Sequence, residues 1–140
     1  ESDNAIGGKT AFVTGGSSGI GLATARLLIA EGARVTITAR NRQTLDAAVA
    51  ELGSNAFAVT ADATDVSATE QALAQAAAKF GKLDVLFANA GIPGNTPLGG
   101  TTLAAFETII RTNLTAVFFA VQAALPHLND NASIILNGSV

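Results

Sequence analysis

The chain contains no cysteine, tyrosine, tryptophan or methionine, and it has a single histidine, His127. Without cysteine there can be neither a disulfide framework nor a thiolate metal site. With one histidine a multi-histidine centre is excluded as well, so no metal is expected. Charge is also scarce. Asp, Glu, Lys and Arg together make up 14% of the 140 residues, against about 25% in ordinary soluble proteins. The formal net charge is -3, and no basic cluster exists that could displace counterions from a nucleic acid or an anionic membrane. Long apolar runs are missing too. The longest covers residues 116–121, far short of the ~20 residues a membrane helix needs. Glu1-Ser2-Asp3-Asn4 lacks the basic start of a signal peptide. The expectation is a cytoplasmic protein with neither a nucleic-acid nor a membrane partner.

The chain is instead rich in small apolar residues, with a mean hydropathy of +0.40. Such a composition suits a sheet covered on both faces, with some helix surface meeting another subunit. Short apolar runs read as buried parallel strands: Ala11-Phe12-Val13, Val35-Thr36-Ile37, Ala56-Phe57-Ala58-Val59, Val85-Leu86-Phe87-Ala88 and Ile134-Ile135-Leu136. Between them, alanine-rich stretches at residues 20–31, 43–52, 67–80 and 102–128 have helical spacing. Gly32, Gly53 and Gly81 stand where helices should end. Ser67 followed by Glu70 reads as a capping box. Strand and helix alternate over short connections, which predicts one α/β domain over residues 1–140 with a doubly wound parallel sheet.

The stretch 102–128 is apolar nearly all round, with Glu107, Arg111 and His127 as its only ionisable residues. A helix on a sheet needs one apolar stripe, so a second apolar face calls for another cover. Two covers are open: a second subunit, giving a homo-oligomer through this helix, or further chain of the same protein.

The first strand runs into Thr14-Gly15-Gly16-Ser17-Ser18-Gly19-Ile20-Gly21. Gly15 permits a tight turn off the strand. Gly19 lets the main chain approach a pyrophosphate, and Gly21 lets the new helix pack close to the sheet. The helix N-terminus, including Ile20, offers free N–H groups and about half a positive charge to phosphates. Ser17 and Ser18 add hydroxyls at the same place. Gly8-Lys9-Thr10 looks like the end of a P-loop, but Asp3 occupies the place of that motif's first glycine and the lysine precedes the strand. The second strand ends Thr38-Ala39-Arg40-Asn41-Arg42, without the acid that accepts from a ribose 2′-hydroxyl. A guanidinium there matches a 2′-phosphate, so NADP(H) is the expected cofactor and NAD(H) the lesser one. The competing reading makes Arg40 and Arg42 solvated loop charges.

The spacing Thr14-Gly15-x-x-x-Gly19-x-Gly21 resembles the short-chain dehydrogenase/reductase family, and argues against the extended, epimerase-like branch. Asp62-Ala63 is similar to the family's adenine-contacting pair, although Asp62 would equally cap the turn after it. Ala88-Asn89-Ala90-Gly91 resembles the motif that supports the sheet and lines the nicotinamide side. Asn113 matches the asparagine of the catalytic tetrad, and Ser139 its serine. The resemblance runs from Lys9 to Val140 and implies a Rossmann-type sheet of strand order 3-2-1-4-5. It further implies hydride transfer between a nicotinamide and a small-molecule carbonyl or secondary alcohol.

In the family a tyrosine moves the proton, a following lysine lowers that tyrosine's pKa, and the serine orients the substrate oxygen. No tyrosine is present, and Lys9, Lys79 and Lys82 stand in the wrong places for that lysine. The resemblance therefore implies an N-terminal portion of a longer enzyme, inactive by itself. The alternative is a nucleotide-binding module without turnover.

Overall fold

The computed structural model describes residues 6–89 and 95–137. Five parallel strands form one sheet in the order β3-β2-β1-β4-β5: β1 (Thr10–Thr14), β2 (Arg34–Ala39), β3 (Ala56–Thr60), β4 (Leu83–Ala88) and β5 (Leu128–Leu136). Chain order is left at β1, where the second half of the strands begins on the other side; such a reversal makes a crevice at the carboxyl ends.

Alternation along β1 divides the core. Ala11 and Val13 join Val35, Ile37, Leu45 and Ala48 in one buried cluster. Phe12, pointing the other way, joins Leu73, Ala76, Leu83 and Leu86 in a second. Helices α1 (Gly19–Ala30) and α2 (Arg42–Leu52) supply residues to the first cluster, and α3 (Val66–Phe80) and α5 (Ala116–Ala124) to the second. Phe12 is fully buried; removing a side chain of this size from water is worth about 2–3 kcal/mol.

Three expectations need correction. Helix α3 is capped by Asp65, whose carboxylate accepts from the Ala68 N–H at 3.1 Å, and not by Ser67. The turn before it sets this start: the Asp65 N–H already donates to the Asp62 carbonyl, so Ser67 falls inside the first helical turn. The stretch 102–128 is one helical run of changing geometry. It comprises α4 (Leu103–Ile110), a π-helical turn (Arg111–Thr115), α5 and a 3-10 turn (Leu125–His127). Its last expected residue, Leu128, already belongs to β5, which is longer than the run 134–136. Beside β4 the segment from Leu128 to Ser133 bulges, with Asn131 at φ 64. Asparagine tolerates that left-handed conformation. The Asn129 side chain bonds Asp84 Oδ1 at 2.9 Å and stitches the bulge to β4.

The run Leu103–His127 is long and apolar enough to cross a membrane by length and composition, although no unbroken apolar run shows it. Its sheet-facing side is an alanine stripe, Ala116, Ala120 and Ala124, all buried. Its other side exposes Leu103, Phe106, Ile110, Leu114, Phe118 and Leu125.

Candidate nucleotide-binding site

Beyond the carboxyl ends of β1, β2 and β3 lies a cleft of about 460 Å³. One side is the turn after β1, with Gly15, Ser17 and Ser18. Arg40 closes the end of β2, Asp62 and Ala63 follow β3, and Thr108, Arg111 and Thr112 form a wall from the long helical run.

The turn is shaped by close approach. Gly15 and Gly19 have φ 66 and 55, a left-handed conformation that disfavours side chains. Gly21 lies against the turn itself. A Cβ there would meet the Gly15 carbonyl and come 2.7 Å from Asn89 Nδ2. Gly16, to which the sequence reading gave no task, is equally confined: its Cβ would stand 2.6 Å from Ile37 Cβ. Its N–H donates to the Thr38 carbonyl at 3.0 Å and ties the turn to β2.

Ser18 is the extended N-cap of α1, yet its hydroxyl makes no capping bond, and the first turn holds no acid. The first intrahelical bond runs from Leu22 N–H to the Ser18 carbonyl. The amides of Gly19, Ile20 and Gly21 precede it and lack helical partners. These three residues open α1 beside the cleft and are not among those lining it. The Ser17 hydroxyl accepts from Thr44 Oγ1 at 3.2 Å, which links the turn to α2.

Arg40 and Arg42 differ in their surroundings. Arg42 pairs with Asp46 at 3.0 Å one helical turn on. Arg40 forms no salt bridge among the described residues, and its position at the cleft leaves the guanidinium available to a ligand. Asp62 lines the cleft and caps the turn that follows β3: its Oδ1 accepts from the N–H of Thr64 at 2.9 Å and from the Thr64 hydroxyl at 2.8 Å. Those bonds, the main-chain one foremost, hold its carboxyl below the ordinary value against the opposing effect of burial, and the nearby Arg40 charge adds to them.

Asn89 lies behind the turn. Its N–H donates to Thr14 Oγ1 at 2.9 Å, and its Nδ2 faces the Gly15 carbonyl at 3.5 Å. Asn113 sits away from the cleft, half-buried in the π-helical turn. It lines a second, mainly apolar cavity of about 580 Å³ with Ala88, Leu136 and Asn137 at the ends of β4 and β5. Ala90, Gly91 and Ser139 lie outside the described residues. Residues missed in the sequence include Gly16 in the turn, Thr108, Arg111 and Thr112 on the cleft wall, and Asn137 at the second cavity. The adjacent glycine pair was the available signal for the first; a strand end two residues before a motif serine was the signal for the last.

Comparison with known proteins agrees with this architecture. The family described as short chain dehydrogenase matches residues 9–140. An oxidoreductase of Sarocladium schorii, asL5, is 42% identical over 134 residues, which cover 94% of this chain and 54% of that protein. The serine 3-dehydrogenase of Agrobacterium fabrum is 37% identical over 129 residues, covering 91% of this chain and 52% of the relative. The chain thus spans about half the length of these relatives. Among solved structures, a dehydrogenase/reductase of Sinorhizobium meliloti superposes with a TM-score of 0.91 at 43% identity, over 97% of this chain and 56% of that one. A blue fluorescent protein from a metagenomic library, in complex with NADPH, gives 0.89 at 42% identity, over 96% of this chain and 57% of that one. The chain belongs to the short-chain dehydrogenase family.

Proposed function

We propose that this chain is the dinucleotide-binding portion of a longer NADP(H)-dependent oxidoreductase, one that interconverts a small-molecule carbonyl and a secondary alcohol. The observation that carries the cofactor reading is Arg40, a guanidinium outside any salt bridge among the described residues, at the strand end beside the cleft. The site fits a dinucleotide in three respects. The amides opening α1 have no side-chain cap and the first turn holds no acid, so a pyrophosphate would meet free donors there. Gly16 and Gly21 leave no room for a Cβ, so the turn stays tight against sheet and helix. Asp62 and Ala63 line the cleft just after β3, which supports assigning them to the adenosine. The NADPH bound to one structural relative supports the same choice.

In this reading Gly15, Ser17, Ser18, Gly19, Ile20 and Gly21 hold the pyrophosphate, Arg40 the 2′-phosphate, and Asp62 with Ala63 the adenine. Asn89, Ala90 and Gly91 support the nicotinamide side. Bound nicotinamide would supply or accept the hydride. Asn113 and Ser139 are assigned to the chemistry, Asn113 by its place in a π-helical turn, a distortion frequent at functional sites. The relatives' greater length supports a tyrosine and lysine acting from a part of the enzyme beyond this chain. The exposed apolar side of Leu103–His127 supports a homo-oligomer through that helix.

Titration of the intact protein with NADPH and NADH, repeated on Arg40→Asp, tests the cofactor assignment. The expected result is NADPH binding at least about tenfold tighter than NADH, with the order lost in the variant. Equal affinities unchanged by the substitution would overturn it.

A further inference from the structure

The parallel register of β4 and β5 pairs Ala88 with Leu136. One step further along, the Asn137 N–H donates to the Ala88 carbonyl at 3.0 Å, which carries the ladder past the strand end. Asn89 and Asn137 are thereby brought side by side, and Asn137 Nδ2 donates to Asn89 Oδ1 at 2.6 Å. Asn89 has one carbonyl oxygen and one NH₂ group, so the bond from Asn137 fixes which way its amide points. With the oxygen turned to Asn137, the NH₂ faces the Gly15 carbonyl. That same NH₂ crowds Gly21, the residue on which α1 approaches the turn.

We propose that Asn137 is a positioning residue for the dinucleotide-binding turn, acting through the orientation of the Asn89 amide; this rests on the function proposed above. The signal crosses three neighbouring strands. It runs from the end of β5 to the end of β4, and from there to the turn that leaves β1. Among the described residues Asn137 does not line the cleft but the second cavity beside Asn113, and its link to the turn runs through the Asn89 amide.

Asparagine is the residue this arrangement needs. Asn137→Ala removes the donor and leaves the Asn89 amide free to turn over. Asn137→Asp is worse, because it presents acceptor oxygens to an acceptor. The Asn89 amide then inverts and sets its own oxygen against the Gly15 carbonyl.

The test is the NADPH dissociation constant of the intact protein, with thermal unfolding measured on each variant. Asn137→Ala is expected to bind roughly fivefold more weakly and Asn137→Asp at least about tenfold more weakly. In an Asn89→Ala background, Asn137→Ala should cost no further affinity, because the transmitting amide is gone. A residue that only braces the strand end would lower the unfolding temperature and leave the dissociation constant alone. That outcome in Asn137→Ala, or equal losses with and without Asn89, overturns the proposal. Should Asn137→Asp fail to fold, Asn137→Ala and the double variant decide. If the unmodified protein binds no dinucleotide, the proposed function itself fails; if it binds and the variants bind equally well, only the role of Asn137 falls.

Discussion

Asp62 and Arg40, from the ends of the neighbouring strands β3 and β2, attract one another beside the cleft, and the Arg40 charge is one of the influences that lower the Asp62 pKa. The larger influences are the two bonds from Thr64. A carboxyl held below its unfolded value stabilises the fold above that value, and the contribution is lost as pH falls through the folded one. Thr64→Val should therefore destabilise the protein by no more than about 1 kcal/mol near neutrality. The difference should shrink as pH drops below the ordinary value of 3.8. Urea unfolding at neutral pH and at about pH 3 checks this. A difference that grows on acidification would contradict it.

The glycine turn makes a sharper case. Gly16→Ala must push Ile37 aside, and Gly21→Ala must push the Gly15 carbonyl or Asn89. Each should destabilise by about 1–3 kcal/mol. Gly21→Ala should also weaken NADPH binding, because the atoms it displaces form the turn. Losses below about 0.5 kcal/mol by urea unfolding would show that the backbone yields more easily than its packing indicates.

The fold was largely legible because its strands are buried on both sides and read as short apolar runs, and because glycines mark the turn that follows β1. What escaped depends on bonds between distant residues. Asn129-Asp130-Asn131 has the composition of a loop, yet a side-chain bond to Asp84 and one left-handed residue keep it in β5. Asp65 and Ser67 are both good caps by type, and only the Asp62 turn decides between them. In the cleft, the ends of β1, β2 and β3 were found by motif. Arg111 was overlooked because nothing in a helical stretch announces which side faces a cleft across the fold.

Thr36 is fully buried in β2, and its hydroxyl lacks a hydrogen-bond partner among the described residues. An unsatisfied buried hydroxyl is costly, whereas a methyl group of similar size is not. Thr36→Val should raise stability by about 1 kcal/mol. Destabilisation on thermal and chemical unfolding would mean that the hydroxyl is satisfied after all.

The exposed side of the long helical run carries Phe118 at 59% and Leu114 at 61% exposure, which is why a second copy is proposed to cover it. Leu114→Glu with Phe118→Glu should shift the intact protein to smaller species in sedimentation velocity. Their charges cannot be buried unpaired at an interface. An unchanged assembly would move the interface elsewhere, and a monomeric starting protein would remove it.

If a dinucleotide's phosphates rest against the open amides where β1 hands over to α1, ¹⁵N-resolved NMR titration of the intact protein with NADPH will register it there. Large shifts are expected for Gly15, Ser18, Gly19, Ile20, Gly21 and Asn89. Asp84 and Asn129, at the other end of the sheet, should stay still. Saturable binding that leaves the amides of the glycine turn unmoved would contradict the account.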